Sequence, residues 1–218
     1  MTSTAPVPDG RSARWDEHRL ARRRELVEAA VRAVREHGAQ VGMDEVAATA
    51  GTSKTVLYRH FADRAGLYAA VADRVDGTIV RGITRAAGAG EEPSAAREPR
   101  GVIRSVIAAY LHLVEDDPEV YRFIVNAPMV PPGERPEGDV TAGMTGRIAE
   151  HVAGIIGAGL GSRAAGPTAQ LWGVALVGMV RAAADAWLAE GGADSGRTAD
   201  DLADDLTTVV WDGLRPRP

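Results

Sequence analysis

Apolar positions recur at helical spacing along most of the 218-residue chain, in blocks separated by glycine and proline. Residues 15–37 carry Leu20, Val27, Ala30, Val31 and Val34 near a period of 3.6, and Gly38 closes the run. Two short blocks follow. The first holds Val46, Ala47 and Ala50; the second holds Leu57 and Phe61, four residues apart. Between them, Gly51 is free to take positive φ and Ser53 is placed to cap the second helix. A longer helix is predicted from the N-cap Asp63 to about residue 87, with Leu67, Val71, Val75 and Ile79 on one face. Residues 88–99 are rich in breakers and read as a linker. Further helices are predicted over 101–115, from Pro118 onward, and over 140–160, 167–190 and 198–211. Residues 127–138, with Pro128, Pro131, Pro132 and Pro136, predict no regular element. No alternating strand pattern and no internal repeat occur. The fold class is all-α.

The two short blocks carry the chemistry. With Leu57 and Phe61 turned inward, the second helix presents Lys54, Thr55, Tyr58, Arg59 and His60 outward, the form of a helix–turn–helix whose second helix reads DNA. Lys54, near the helix N-terminus, is placed to donate to guanine O6 or N7, and Thr55 to a base or a thymine methyl. Tyr58 and Ser53 offer hydroxyls to phosphate. Arg59 and His60 fall where backbone contacts are expected. Arg64 opens the following helix, whose N-terminal dipole favours an anion.

From about residue 22 to residue 67 these residues resemble the N-terminal domain of TetR-type transcriptional regulators. The likeness runs without a gap through Ala29–Ala30, Gly38, Val46–Ala47, Ala50–Gly51, Ser53–Lys54, Leu57–Tyr58, His60–Phe61 and Asp63–Arg64. It implies double-stranded operator DNA as a partner, contacted by Arg22, Met43, Ser53, Lys54, Thr55, Tyr58, Arg59, His60 and Arg64. Departures are visible. Gly42 and Met43 stand where the family usually has hydroxyl residues, and a methionine donates nothing to phosphate. Asp44 would repel a phosphate or accept from a cytosine amino group. Thr52 replaces a usual apolar residue.

The expected organisation is a tail over 1–14, a helix–turn–helix domain over 15–62, and a larger helical domain over 63–218 whose segment 63–88 connects the two. Hydrophobic content of 45% and charged content of 25% are those of a globular protein. With 0 Cys, disulfides, cysteine nucleophiles and thiolate metal sites are excluded. The net charge of −5 divides unevenly. Through Arg64 there are 11 Lys+Arg against 9 Asp+Glu, and beyond it 14 against 21, so the acidic part would stay away from DNA. No basic-then-apolar leader and no uninterrupted apolar run of membrane length occur, since the stretch 171–180 stops at Arg181. A cytoplasmic protein without membrane attachment is expected. The lone lysine, Lys54, among arginines, with abundant Ala, Gly and Val, points to a GC-rich bacterial genome.

A palindromic operator needs two heads, so the larger domain is expected to form a homodimer. Leu171, Ala175, Gly178 and Ala182, with Trp187 and Trp211 for buried area, are the expected contact residues. The family resemblance also implies a pocket for a small-molecule effector in this domain. Tyr110, Val114, Tyr121, Phe123, Asn126, Met129, Trp172 and Met179 are of the kind that line one. The segments Val120-Tyr121-Arg122-Phe123-Ile124, Leu176-Val177-Gly178-Met179, Trp187-Leu188 and Trp211-Asp212-Gly213-Leu214 are similar to TetR-type regulators of fatty-acid biosynthesis that sense long-chain acyl-CoA. A lipid-like, acyl-CoA-like effector is therefore expected, with repression relieved on binding. No cofactor or metal is expected. An enzyme and a helical adaptor are the competing readings. The glycine-rich stretch 157–162 has no preceding strand and no following Lys-Ser/Thr, and His18, His37, His60, His112 and His151 form no paired metal motif.

Overall fold

The computed structural model describes residues 10–88, 98–126, 140–160 and 166–213. Its helices are α1 (Gly10–His37), α2 (Met43–Thr49), α3 (Lys54–Phe61), α4 (Arg64–Ala86), α5 (Pro99–Asp116), α6 (Pro118–Asn126), α7 (Val140–Leu160), α8 (Pro167–Ala189) and α9 (Ala199–Asp212), with one 3-10 turn at Gly192–Ser195. No strand occurs among the described residues, and the protein is all-α. Helix α1 begins at Gly10, inside the stretch expected to be tail, because no proline follows Pro8 to stop the helix from extending backward. Residues 1–9, most of the linker (89–97) and the proline-rich stretch 127–139, which includes Met129, lie outside the described residues.

Local signals set the helix ends. Asp63 caps α4, its Oδ1 accepting from Gly66 N at 2.7 Å. Thr198 caps α9 in a reciprocal box with Asp201. Ser53 occupies the N-cap of α3, but its side chain makes no capping hydrogen bond, leaving the hydroxyl exposed.

One apolar core runs from the head into the body. It joins Leu26, Val34, Met43, Val46, Leu57 and Phe61 to Leu67, Tyr68, Phe123, Ile124, Ile148 and Val152. Polar ties reinforce the junction. Buried Tyr68 donates its hydroxyl to Ile124 O at 2.5 Å, Ala39 N donates to Glu119 Oε2 at 2.8 Å, and Arg35 grips Asp117 through two bonds. A second core unites α5, α8 and α9 through Ile107, Leu111, Val180, Trp187, Leu202 and Leu206. Helices α7 and α8 approach closely at Gly173, where a Cβ would lie 2.4 Å from Ala149 O.

Candidate functional site

The turn that presents α3 is built from backbone bonds. After α2, Gly51 N donates to Ala48 O at 3.0 Å and Thr52 N to Ala47 O at 2.9 Å, the paired closure of a Schellman motif, with Gly51 at φ +60°. Leu57 and Phe61 anchor α3 against α1 and α2, so Ser53, Lys54, Thr55, Tyr58 and Arg59 face outward together. Arg64 is exposed at the start of α4. His60 is only partly exposed, beside Arg22 and Arg23 of α1. Burial first, and then Arg59, Arg22, Arg23 and Arg19, hold its imidazole below the ordinary range. This cationic cluster is chemically suited to phosphate.

Three details were hidden from the sequence. Lys54 Nζ lies 2.9 Å from the Asp44 carboxylate, so the candidate base reader is paired with an acid on α2. Arg23 is a structural residue. Its guanidinium donates to His60 O at 2.7 Å and stacks 4.4 Å from the Phe61 ring centroid, closing the C-terminal end of α3. Arg22 is turned toward Glu25 at 2.8 Å. Met43 is corrected as a DNA contact: it is 1% exposed, packed in the core beneath α2, because its apolar side chain gains more there than at a phosphate.

The body contains a cavity of about 170 Å³ walled by α1, α4, α5, α6, α7 and α8. Tyr110, Val114 and Tyr121 line it, among the residues expected from the sequence. Phe123 does not; it is 1% exposed and packs its ring 5.7 Å from that of Tyr68. Asn126 is exposed and borders a separate surface hollow with Asp185. Trp172 and Met179 line a second apolar groove with Trp211, Val210 and Ile103. Apolar spacing places these side chains on helices but does not say which helix face meets which hollow. The cavity's polar wall went unforeseen: Glu28, Arg35, Arg74, Thr78, Asp117 and Arg181. One signal was present in Arg181, the charge interrupting the apolar stretch of α8.

An apolar face remains exposed on α8 and α9. Leu171 is 66% exposed and Val174 56%, and Trp172, Val209, Val210 and Trp211 are exposed beside them. Ala175, Gly178 and Ala182 share this exposure. Trp187 is corrected as a contact residue: it is 3% exposed, and its indole N–H donates to Arg197 O at 2.8 Å inside the α5/α8/α9 core. Helix α8 is long and apolar enough in composition to cross a bilayer, yet it packs one side against α7 through Ala169 and Gly173.

The family profile for "Bacterial regulatory proteins, tetR family" matches residues 26–71, and the profile for "Tetracyclin repressor-like, C-terminal domain" matches residues 85–215. An uncharacterized HTH-type transcriptional regulator of Mycobacterium tuberculosis is 32% identical over 213 residues, 94% of this chain and 82% of that protein. The fold is similar to that of a TetR-like transcriptional regulator from Rhodococcus sp. RHA1, with a TM-score of 0.60 at 23% identity over 90% of this chain and 97% of the other. It is also similar to FadR of Bacillus subtilis in complex with stearoyl-CoA, with a TM-score of 0.66 at 15% identity over 88% and 98%.

Proposed function

The chain belongs to the TetR family of bacterial DNA-binding transcriptional regulators, and from that premise we propose that it is a homodimeric repressor released from a palindromic operator by a small apolar or lipid-like effector. In this reading α3 enters the major groove, Lys54 and Thr55 reach base edges, and Ser53, Tyr58, Arg59, His60, Arg64 and Arg22 hold phosphates. The exposed apolar face of α8 and α9 is the surface two copies would cover, which also explains a helix of near-membrane apolarity in a DNA-binding protein. A regulator acting on DNA belongs in the cytoplasm.

The observation that carries the effector reading is the composition of the cavity wall. Glu28, Val31 and Arg35 come from α1 of the head, and they face Arg74, Thr78 and Asp117 of the body. Two ion pairs cross this boundary, Glu28–Arg74 and Arg35–Asp117, each at 2.5 Å. A molecule seated there bears on the contacts that fix the head against the body. It switches binding only by favouring the arrangement with misplaced heads; a coupling of about 1–3 kcal/mol would weaken operator binding about 5–150-fold. FadR's stearoyl-CoA supports a lipid-like molecule here by analogy.

The test is selection of sites from random duplex DNA, with affinities then measured at two salt concentrations. An enriched inverted repeat with a steep salt slope is expected. An enzyme or an adaptor without DNA reading would enrich nothing. A ligand that binds the cavity and leaves operator affinity unchanged would remove the release mechanism.

A further inference from the structure

We infer that the effector is an apolar molecule carrying one carboxylate, and that Arg181 receives that anion. This rests on the cavity being the effector site and assigns the ligand's charge and orientation within it. Three guanidiniums, those of Arg35, Arg74 and Arg181, line the cavity against two carboxylates, those of Glu28 and Asp117. Asp117 is taken by Arg35, through bonds of 2.7 and 2.5 Å, and Glu28 by Arg74 at 2.5 Å. Among the lining side chains one positive charge is therefore left over, that of Arg181; the Asp185 carboxylate stands outside the lining, behind the Tyr121 hydroxyl.

Arg181 is half-buried, and its contact is neutral: Nη1 donates to Thr145 Oγ1 at 3.4 Å. No ion pair joins it to a carboxylate among the described residues. Asp185, one turn further along α8, instead accepts from the Tyr121 hydroxyl at 2.6 Å. A guanidinium drawn partly out of water into an apolar hollow favours a charged acceptor over a neutral one, because its own desolvation is then offset. Tyr110 adds a hydroxyl on the same wall. Burial pushes its phenol up to about 12, and that hydroxyl is already hydrogen-bonded to Tyr121, which it helps to hold on the wall.

The apolar body of the ligand also has a direction. Tyr110, Ile148 and Val177 are shared with a smaller hollow whose remaining wall, including Ile83, Val106 and Leu176, is entirely apolar. The anion sits at Arg181 and the tail runs between α4, α5 and α8. A cavity of 170 Å³ holds the centres of about a dozen waters, which fits a carboxylate of about ten carbons.

The experiment offers decanoate, 1-decanol and decanoyl-CoA to the full chain in titration calorimetry, with the wild type and the variants Arg181→Gln and Arg181→Lys. Decanoate is expected to bind about tenfold or more tightly than 1-decanol to the wild type. R181Q should reduce that preference to about twofold or less, while R181K retains most of it. Unchanged binding of 1-decanol to R181Q shows that the cavity is intact; should R181Q not fold, R181K and the wild-type acid-to-alcohol ratio carry the test. Equal affinities for acid and alcohol, an acid preference that survives R181Q, or no binding of decanoate would each overturn the assignment. Decanoyl-CoA binding more tightly than decanoate, with no dependence on Arg181, would overturn it in favour of a thioester. Operator affinity is read separately. Arg181-dependent decanoate binding that leaves the operator complex untouched ends the release mechanism and keeps the site; release by 1-decanol as effective as by decanoate does the reverse.

Discussion

The side chains of Lys54 and Asp44 pair at 2.9 Å across the outward face of α2 and α3. The pair is solvent-exposed on both sides, so it biases the ammonium in the free protein and competes with guanine for it. The freed carboxylate would then face the phosphates. Asp44→Asn is expected to strengthen binding to all duplexes and to narrow the gap between operator and random DNA, as read from competition at fixed salt. Lys54→Ala is expected to relax selection at one operator position by about tenfold. Site selection with the same stringency in both variants would remove the pair from the recognition mechanism.

His60 makes a proton-linked prediction. Its imidazole is held below 6.5 in the free protein by burial and then by the surrounding arginines. Phosphates placed over that cluster would raise it, so the complex binds more protons than the free protein. Operator affinity should therefore rise as the pH falls toward the ordinary imidazole value of 6.5 and below it, and His60→Gln should flatten the profile. An unchanged slope in the variant would place His60 away from DNA.

Glu119 ties α6 to the head. The bond from Ala39 N is the first cause holding its carboxyl below the ordinary value of 4.5, with Arg122 adding to it. The folded state thus binds its proton less readily than the unfolded chain. The stability this contributes is complete above the ordinary value and is lost as the pH falls through the depressed one. Denaturant titrations across that acid window should show a smaller loss in Glu119→Gln than in the wild type.

The junction between α3 and α4 is strained. Ala62 sits at φ +64° and ψ −53°, with Asp63 N bonded to Phe61 O at 2.8 Å, a tight γ-turn that L-residues rarely adopt. Relief of about 1–3 kcal/mol exceeds the added chain entropy of about 0.4–1 kcal/mol, so Ala62→Gly should raise stability by about 1 kcal/mol. Gly66→Ala should do the opposite, because its Cβ would stand 2.0 Å from the Phe61 carbonyl oxygen. A loss of about 2 kcal/mol is expected. Thermal or urea melts of the two variants measure both effects.

The two sides of α8 respond differently to mutation. Leu171→Glu places a charge on the exposed apolar face, so it should yield a folded monomer in sedimentation velocity, with operator affinity lost alongside. Trp187→Ala empties a buried site and should reduce stability itself by about 3–5 kcal/mol. A dimeric Leu171→Glu would move the interface elsewhere.

Periodicity by itself determined the helices, because an amphipathic repeat and its caps are local. Gly38, Gly51, Asp63, Pro118 and Thr198 mark boundaries that the structure reproduces within a residue or two. The outward set on α3 was equally legible, since Leu57 and Phe61 leave only one face for Lys54, Thr55 and Tyr58. What crosses between helices was not. The sequence could not show that Asp44 meets Lys54, that Arg23 closes α3, or that Met43 and Trp187 turn inward. Nor could it show that Glu28 and Asp117 neutralise two of the three cavity arginines and leave Arg181 in surplus. Those pairings depend on how separate helices, neighbouring or distant in sequence, come to lie against one another, and packing alone decides that.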